Sequence, residues 1–82
     1  MILINISCVE TGRAYDFRAD ENIHVRQITE DIVTMISLKE HVSLDQEPGL
    51  FMLCSPAGNR VLDPNLTFAE NKVSSGDDLI LV

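Results

Sequence analysis

The chain has 82 residues, 45% of them hydrophobic but only 5% aromatic, and 13 acidic residues stand against six Lys and Arg. The resulting net charge of −7 would repel nucleic-acid phosphates and anionic lipid surfaces, so neither class is an expected partner. We expect one domain, residues 1–82, with a small aliphatic core, and a basic protein surface is the favoured partner.

The first residues, MILINISCVE, contain an apolar run that Asn5 and Ser7 interrupt, and no basic residue precedes it. This pattern is not that of a signal peptide. No segment approaches the ~20 consecutive apolar residues of a membrane-spanning helix. We therefore expect a cytoplasmic protein.

A β-hairpin is predicted at the start of the chain. Apolar and more polar residues alternate from Ile2 to about Cys8 and again from Arg13 to Arg18, with the two-residue period of strands that place one face on a core. Gly12 can adopt the positive φ that a tight turn requires. We expect two antiparallel strands joined at this glycine.

An amphipathic helix is predicted from Val25 to about Leu38. Asn22 is its candidate N-cap, and Asp20 and Glu21 place negative charge near its positive end. Its apolar residues recur at steps of three and four, which puts them in one stripe: Val25, Ile28, Ile32, Met35 and Ile36. Such a helix needs an apolar surface to lie on.

The second half of the chain predicts three short strands and one helical turn. The strands are the apolar run Leu50–Cys54, the charged segment Arg60–Leu62 and the terminal segment Leu79–Val82. Thr67 and Glu70 have the spacing of a capping box, in which each side chain satisfies a free main-chain N–H. This places one short helical turn before the last strand.

The predicted element order is ββαββ, a short turn, then β, with residues 39–49 as an ordered crossover loop. This order predicts an α+β fold of the β-grasp type, a mixed sheet of four to five strands crossed by one helix. The first and last strands are apolar on both faces and are expected in the centre of the sheet. Arg13–Arg18 and Arg60–Leu62 carry charges typical of edge strands.

The candidates for catalysis share no motif. His24 and His41 flank the predicted helix, and Ser43, Asp45 and Cys54 could supply a nucleophile or an acid. We found no metal-ligand spacing and no glycine-rich phosphate loop, so we expect no enzyme, metal or cofactor. The two cysteines lack CxxC spacing, which favours reduced thiols, although a disulfide between adjacent strands also fits the sequence.

The sheet face turned away from the helix is the candidate binding surface. One helix covers one face, so apolar residues that point the other way lack cover within the chain. Alternation predicts that Leu3, Ile80 and Val82 point outward. The central strand adds one of two sets, Phe51 with Leu53 or Leu50 with Met52 and Cys54, and Met52 is favoured. The candidate contact residues are thus Leu3, Met52, Ile80 and Val82, although scattered surface aliphatics are also ordinary.

Over nearly its whole length the sequence resembles ubiquitin-like proteins. The resemblance rests on the hairpin closing at Thr11-Gly12, the helix start at 23–25, the turn at 57–59 and the segment Leu66–Leu81. In that segment a capped turn, Gly-Asp and an alternating strand follow one another. Ubiquitin and the sulfur carriers act through a Gly-Gly tail, whereas this sequence ends inside the strand Leu79–Val82.

Among ubiquitin-like proteins the chain is most similar to the YukD/EsaB family of type VII secretion systems in Gram-positive bacteria. The similarity lies in His24–Ile28, in Asp31-Ile32 and in Gly76-Asp77. It implies a non-catalytic cytoplasmic accessory protein that contacts secretion proteins non-covalently, for example an ATPase or a membrane subunit. We expect a monomer or a weak homodimer. The alternatives are a covalent modifier or sulfur carrier, which needs the Gly-Gly tail, and a regulatory domain of a larger membrane protein.

Overall fold

One helix packs across a five-stranded mixed sheet in the computed structural model, which describes residues 1–44 and 51–82. The elements are β1 (Ile2–Cys8), β2 (Arg13–Ala19), α1 (Val25–Glu40), β3 (Leu53–Ser55), β4 (Arg60–Val61) and β5 (Asp78–Leu81). The strand order is β2-β1-β5-β3-β4. The predicted β-grasp is confirmed, because β1 and β5 lie side by side in the centre while β2 and β4 form the edges.

The core lies between α1 and the inner face of the sheet. Every second residue of the central strands points to the helix, and the helix stripe points back. The buried apolar residues include Ile4, Ile6, Leu53, Leu79 and Leu81 from the sheet and Val25, Ile28, Ile32, Val33 and Ile36 from the helix. Met35, predicted in the same stripe, is partly buried and packs against this core. Each fully buried aliphatic side chain stabilises the fold by about 1.5–3 kcal/mol.

The prediction that Asn22 caps the helix is wrong. The N-cap is His24, which makes no side-chain capping hydrogen bond. Asn22 instead belongs to a turn in which its N–H donates to Oδ1 of Asp20 at 2.9 Å. The first helical N–H groups find acceptors elsewhere in the chain: Val25 donates to the carbonyl of Leu66 at 2.8 Å, and Arg26 donates to that of Pro64 at 3.0 Å. Tertiary contact therefore replaces the local cap.

The far end of the helix also differs from its prediction. The helix continues past Leu38 to Glu40 and ends at His41, which adopts the left-handed conformation with φ 56°. The N–H of Val42 donates back to the carbonyl of Ser37 at 3.1 Å, which satisfies one of the free carbonyl groups of the last turn. Residues 39 and 40 are thus helical and not part of the predicted loop, of which residues 45–49 lie outside the described residues.

The predicted strand Leu50–Cys54 begins later than expected. β3 starts at Leu53, while Leu50 lies outside the described residues. Met52 nevertheless exchanges two main-chain hydrogen bonds with Val82, at 2.8 and 3.0 Å. Main-chain pairing between the β3 and β5 segments therefore extends one residue beyond both strands. On the other side of β3, β4 has only two residues. At the level of Met52 and Val82 fewer strands lie side by side, because the edge strand β4 is short.

The remaining boundaries shift by one residue. β2 extends to Ala19, β4 ends at Val61, and β5 runs from Asp78 to Leu81. The capping box is formed as predicted, because Glu70 N–H donates to the Thr67 hydroxyl and Thr67 N–H donates to the Glu70 carboxylate, both at 3.0 Å.

A buried asparagine fastens the segment between β4 and β5. Asn71 is only 4% exposed. Its side-chain oxygen accepts the N–H of Asp63 at 2.9 Å, and its amide donates to the carbonyls of Asp63 at 3.1 Å and of Thr67 at 2.9 Å. The Arg60 guanidinium donates to the Asn71 carbonyl. This network holds together the loop that caps the helix, because Pro64 and its neighbours supply the acceptor carbonyls.

Replacing Asn71 with Ala should lower the free energy of unfolding by about 2–3 kcal/mol, because main-chain groups of Asp63 lose their buried partners. A drop of roughly 10 °C in melting temperature is expected for a domain of this size. Asn65→Ala is the control, since its side chain accepts one exposed hydrogen bond from Arg26, and it should change stability by less than about 1 kcal/mol. Equal effects of the two changes would contradict the role given to Asn71.

Replacing Ile32 with Asp should unfold the domain, because Ile32 is 0% exposed and a buried unpaired carboxylate costs several kcal/mol, on the order of total stability. Thr34→Asp is the control on the exposed side of the same helix and should melt near the wild-type temperature. Circular dichroism melts compare the three proteins. A cooperative Ile32→Asp transition near the wild-type temperature would exclude the packing described.

Candidate protein-binding surface

The outward-facing residues of three strands form a row across the sheet. Ile80 of β5 pairs with Ser7 of β1 on one side and with Cys54 of β3 on the other. Cys54 in turn pairs with Val61 of β4. Because directly paired residues point to the same face, Ile80, Cys54 and Val61 lie side by side on the face opposite the helix.

A second row lies next to the first. Met52 and Val82 are joined by their two main-chain hydrogen bonds, and the N–H of Val9 donates to the carbonyl of Leu81 at 3.2 Å. Since β1 and β5 run parallel with Cys8 paired to Leu81, Val9 comes level with Val82. The two rows form what we call the apolar cluster, which consists of Val9, Met52, Cys54, Val61, Ile80 and Val82.

The apolar cluster is accessible to a partner. Val9 is 64% exposed, Val61 55%, Met52 49% and Val82 41%, while Ile80 and Cys54 are half-buried. Neighbouring strands are about 4.8 Å apart, so the cluster spans roughly 15 Å across β1, β5, β3 and β4. An exposed apolar group of this kind is typical of contact surfaces.

The structure brings together three of the four predicted contact residues. Met52, Ile80 and Val82 belong to the apolar cluster. Of the two sets that the sequence left open, the set with Met52 and Cys54 faces outward, because Leu53 of the other set is only 1% exposed. Leu3 is also exposed, at 48%, but it lies six residues before Val9 along β1, which is roughly 20 Å. The role of all four in binding stays a prediction.

Sequence reasoning missed Val9 and Val61. Val9 continues the alternation of β1 beyond Cys8, so the period-two pattern could have identified it. Val61 could not be assigned to this face, because that requires its register with Cys54, and two residues of strand give no periodicity.

Acidic side chains border the apolar cluster. Asp78 pairs with Asn5 two residues before Ile80 on the same face, and the Asn5 amide donates to Oδ1 of Asp16 at 3.3 Å. Glu10, which follows Val9, is exposed as well. Together with the net charge of −7, these carboxylates favour a partner that carries basic residues around an apolar centre.

Three of the candidates for catalysis, His24, His41 and Cys54, lie apart from one another. His24 and His41 cap opposite ends of a 16-residue helix, which is about 24 Å long. Cys54 lies on the outer face of the sheet, away from both, and Asp45 lies outside the described residues. Within residues 1–44 and 51–82 no three potential metal ligands cluster. Among these described residues, Cys54 therefore has neither histidine beside it to act as a base.

A groove of about 170 Å³ lies between the first half of α1 and the β3–β4 edge. Its lining is mainly apolar, with Val25, Phe51, Leu53 and Leu62, and includes Arg26. Small-molecule sites usually measure about 300–1,000 Å³, and the groove is smaller than this range. It adjoins the apolar cluster, since Met52 and Val61 line both.

Comparison with known proteins identifies the family. The family model described as "WXG100 protein secretion system (Wss), protein YukD" matches residues 3–81. The chain belongs to the YukD family. It is therefore a ubiquitin-like component of a type VII (WXG100) secretion system, from a family not known to be catalytic. No protein with a curated description matches the chain.

Solved structures confirm the ubiquitin-like fold. A computationally designed protein based on human erythrocytic ubiquitin, with an NMR solution structure, is 24% identical with a TM-score of 0.71 and covers 100% of this chain and 90% of its own. A second design based on ubiquitin is 20% identical with a TM-score of 0.72, covering 99% and 85%. Neither residues 1–44 nor residues 51–82 contain a helix with the length and apolar character needed to cross a bilayer.

The two thiols should differ in reactivity. Cys8 and Cys54 are not bonded to each other, and Cys8 is buried at 2% exposure while Cys54 is half-buried on the outer face. Iodoacetamide should modify Cys54 at least about tenfold faster, because Cys8 reacts only when the sheet opens. Mass spectrometry of each site gives the rates, and the denatured protein is the control in which both react. Equal rates in the native protein would contradict the placement of Cys54.

Proposed function

We propose that this YukD-family protein is a non-catalytic cytoplasmic adaptor of the WXG100 secretion system that binds a partner protein non-covalently through the apolar cluster. The observation that supports this most directly is the two adjoining rows of apolar side chains, four of them 41–64% exposed, on the sheet face opposite the helix. Membership of the YukD family is the reason for placing the protein in this secretion system. The exposed apolar surface is the reason for proposing that it binds non-covalently.

The partner's chemistry follows from the surface. Its centre must be apolar to remove Met52, Ile80 and Val82 from water, which contributes about 25 cal/mol per Å² of apolar surface buried. Its rim must be basic to complement Asp78 and the overall negative charge. A basic cytoplasmic segment of a secretion ATPase or of a membrane subunit fits this description.

Contact through side chains of a sheet requires no covalent bond. The residues of the apolar cluster lie in β5, β3 and β4 or directly beside the ends of β1, β3 and β5. The other face of these strands packs on the core, so the surface exists before the partner arrives and loses little entropy on binding. Leu3, at the other end of β1, belongs to the contact only if the partner extends about 20 Å along the strand.

Met52→Asp and Ile80→Asp should each weaken partner binding about tenfold or more while leaving the fold intact, because a carboxylate buried in an interface without a counter-charge is costly. Leu38→Asp is the matched control, since Leu38 is an apolar residue 73% exposed on the helix, and it should bind normally. Leu3→Asp reports whether the interface extends along β1. Unchanged binding by both folded cluster variants would remove this surface from consideration.

The partner is found by a pull-down of the tagged protein from its native cytosol, with a gentle and a denaturing wash and mass spectrometry on both. Secretion-system proteins that are captured by wild type and by Leu38→Asp, lost with Met52→Asp, and released by denaturant would support the adaptor. Adducts that survive the denaturing wash would instead support a covalent modifier and contradict the proposal.

A further inference from the structure

Among residues 1–44 and 51–82, no strand pairs with the outer edge of β2. Main-chain groups of successive residues in a strand point to alternate sides, and on β1 the odd-numbered residues serve β5. The N–H of Asn5 donates to the carbonyl of Asp77 at 3.0 Å, and that of Val9 donates to the carbonyl of Leu81 at 3.2 Å. The even-numbered residues of β1 therefore use their main-chain groups to pair with β2.

The register shows which residues of β2 are left over. Ile4 pairs with Phe17, and Ile6 pairs with Tyr15, so Tyr15 and Phe17 turn their main-chain groups inward. The residues between and on either side of them turn their N–H and C=O groups to the outer edge: Ala14, Asp16 and Arg18. All three are exposed, and no hydrogen bond among the described residues uses these main-chain groups. Unpaired edges of this kind are ready to pair with another strand.

We propose that a second copy of the chain pairs antiparallel along this edge, in the register that sets Asp16 opposite Arg18 of the second copy. Two-fold symmetry then also sets Arg18 opposite Asp16 of the second copy, so one contact gives two ion pairs on the outer face. The two copies form a continuous ten-stranded sheet.

Charge selects this register over its neighbours. A slip of one residue would oppose outward main-chain groups to inward ones, so only registers that differ by two residues can form. If the two-fold axis passes beside residue 16 instead of residue 17, Asp16 lies opposite Asp16 of the second copy. If the axis passes beside residue 15, Asp16 lies opposite Ala14 of the second copy. The proposed register thus avoids like charges directly opposite each other, which destabilise strand pairs.

The inner face adds an apolar contact at the two-fold axis. Phe17 is partly buried against the core and in this register lies opposite Phe17 of the second copy. It occupies a non-hydrogen-bonded position, where the facing Cα atoms are about 4.5 Å apart and side chains approach closely. Aromatic pairs across strands are favourable. The net charge of −7 on each copy opposes association but is screened beyond about 8 Å at physiological ionic strength.

The pairing goes beyond the adaptor role and leaves its surface free. β2 is one edge of the sheet, and the apolar cluster extends from Val9, directly after β1, across β5 and β3 to β4, the other edge. A dimer would therefore present two docking surfaces on one continuous sheet face, which raises avidity for a partner with two sites. The self-association is tested with the purified protein alone, so its result is independent of whether the partner proposal holds.

A charge exchange tests the pairing and its register by sedimentation. Wild type should shift from 9.1 kDa toward twice that mass with increasing concentration. Asp16→Arg and Arg18→Asp should each weaken dimerisation about tenfold or more, since both ion pairs become repulsive. An equimolar mixture of the two variants should dimerise again, because the two arginines on the edge of the first variant then face the two aspartates on the edge of the second.

Matched variants separate local pairing from net charge. Asp16→Arg raises the net charge by two, from −7 to −5, and so does Asp31→Arg on the exposed helix side, which should dimerise like wild type. The double variant Asp16→Arg/Arg18→Asp keeps the net charge of −7 and should also dimerise. A wild type that stays monomeric up to about 1 mM, a dimer unaffected by Asp16→Arg, or a mixture that fails to associate would each overturn the proposal.

Discussion

The parallel pairing of β1 with β5 is the constraint on which the rest of the structure depends. It joins the two ends of the chain in the centre of the sheet, with Asn5 beside Asp78 and Cys8 beside Leu81. Both strands then present one apolar side to α1, and everything between them must fit around this pair. β2 pairs with β1 on one side of this central pair, and β3 and then β4 follow β5 on the other side. The charged segments therefore form the edges of the sheet.

The sequence predicted the parts of this architecture that have a period. Alternation identified β1, β2 and β5, the three- and four-residue steps identified α1, and the spacing of Thr67 and Glu70 identified the capping box. It failed at the helix start, because the acceptors for Val25 and Arg26 are carbonyls some 40 residues later in the chain. No local pattern contains such a contact. The polar residues at 20–22 look like a helix cap in the sequence, but in the structure they form a turn before the helix.

The candidate surface was predictable to the same extent. The facing of Ile80 and Val82 followed from alternation, but whether outward residues adjoin depends on how far each strand is shifted against its neighbour. Leu3 and Val82 share a face and yet lie at opposite ends of it, whereas Val9 and Val61 join the group only through register. Hydrogen-bond partners such as those of Asn71 are likewise a property of the folded loop, since Asp63 and Thr67 meet only there.

The central position of β5 also has a consequence for biosynthesis. A sheet whose middle strand is the last of its strands along the chain cannot close while that strand is still inside the ribosome. Until residues 78–82 emerge, no strand joins the β1–β2 hairpin to β3 and β4. The apolar side of α1 then faces an incomplete sheet. Contacts between the two ends of a chain also have high contact order, which slows folding. Folding of this domain should therefore be completed only after residues 78–82 have left the ribosome, in one cooperative step that begins when β5 becomes available.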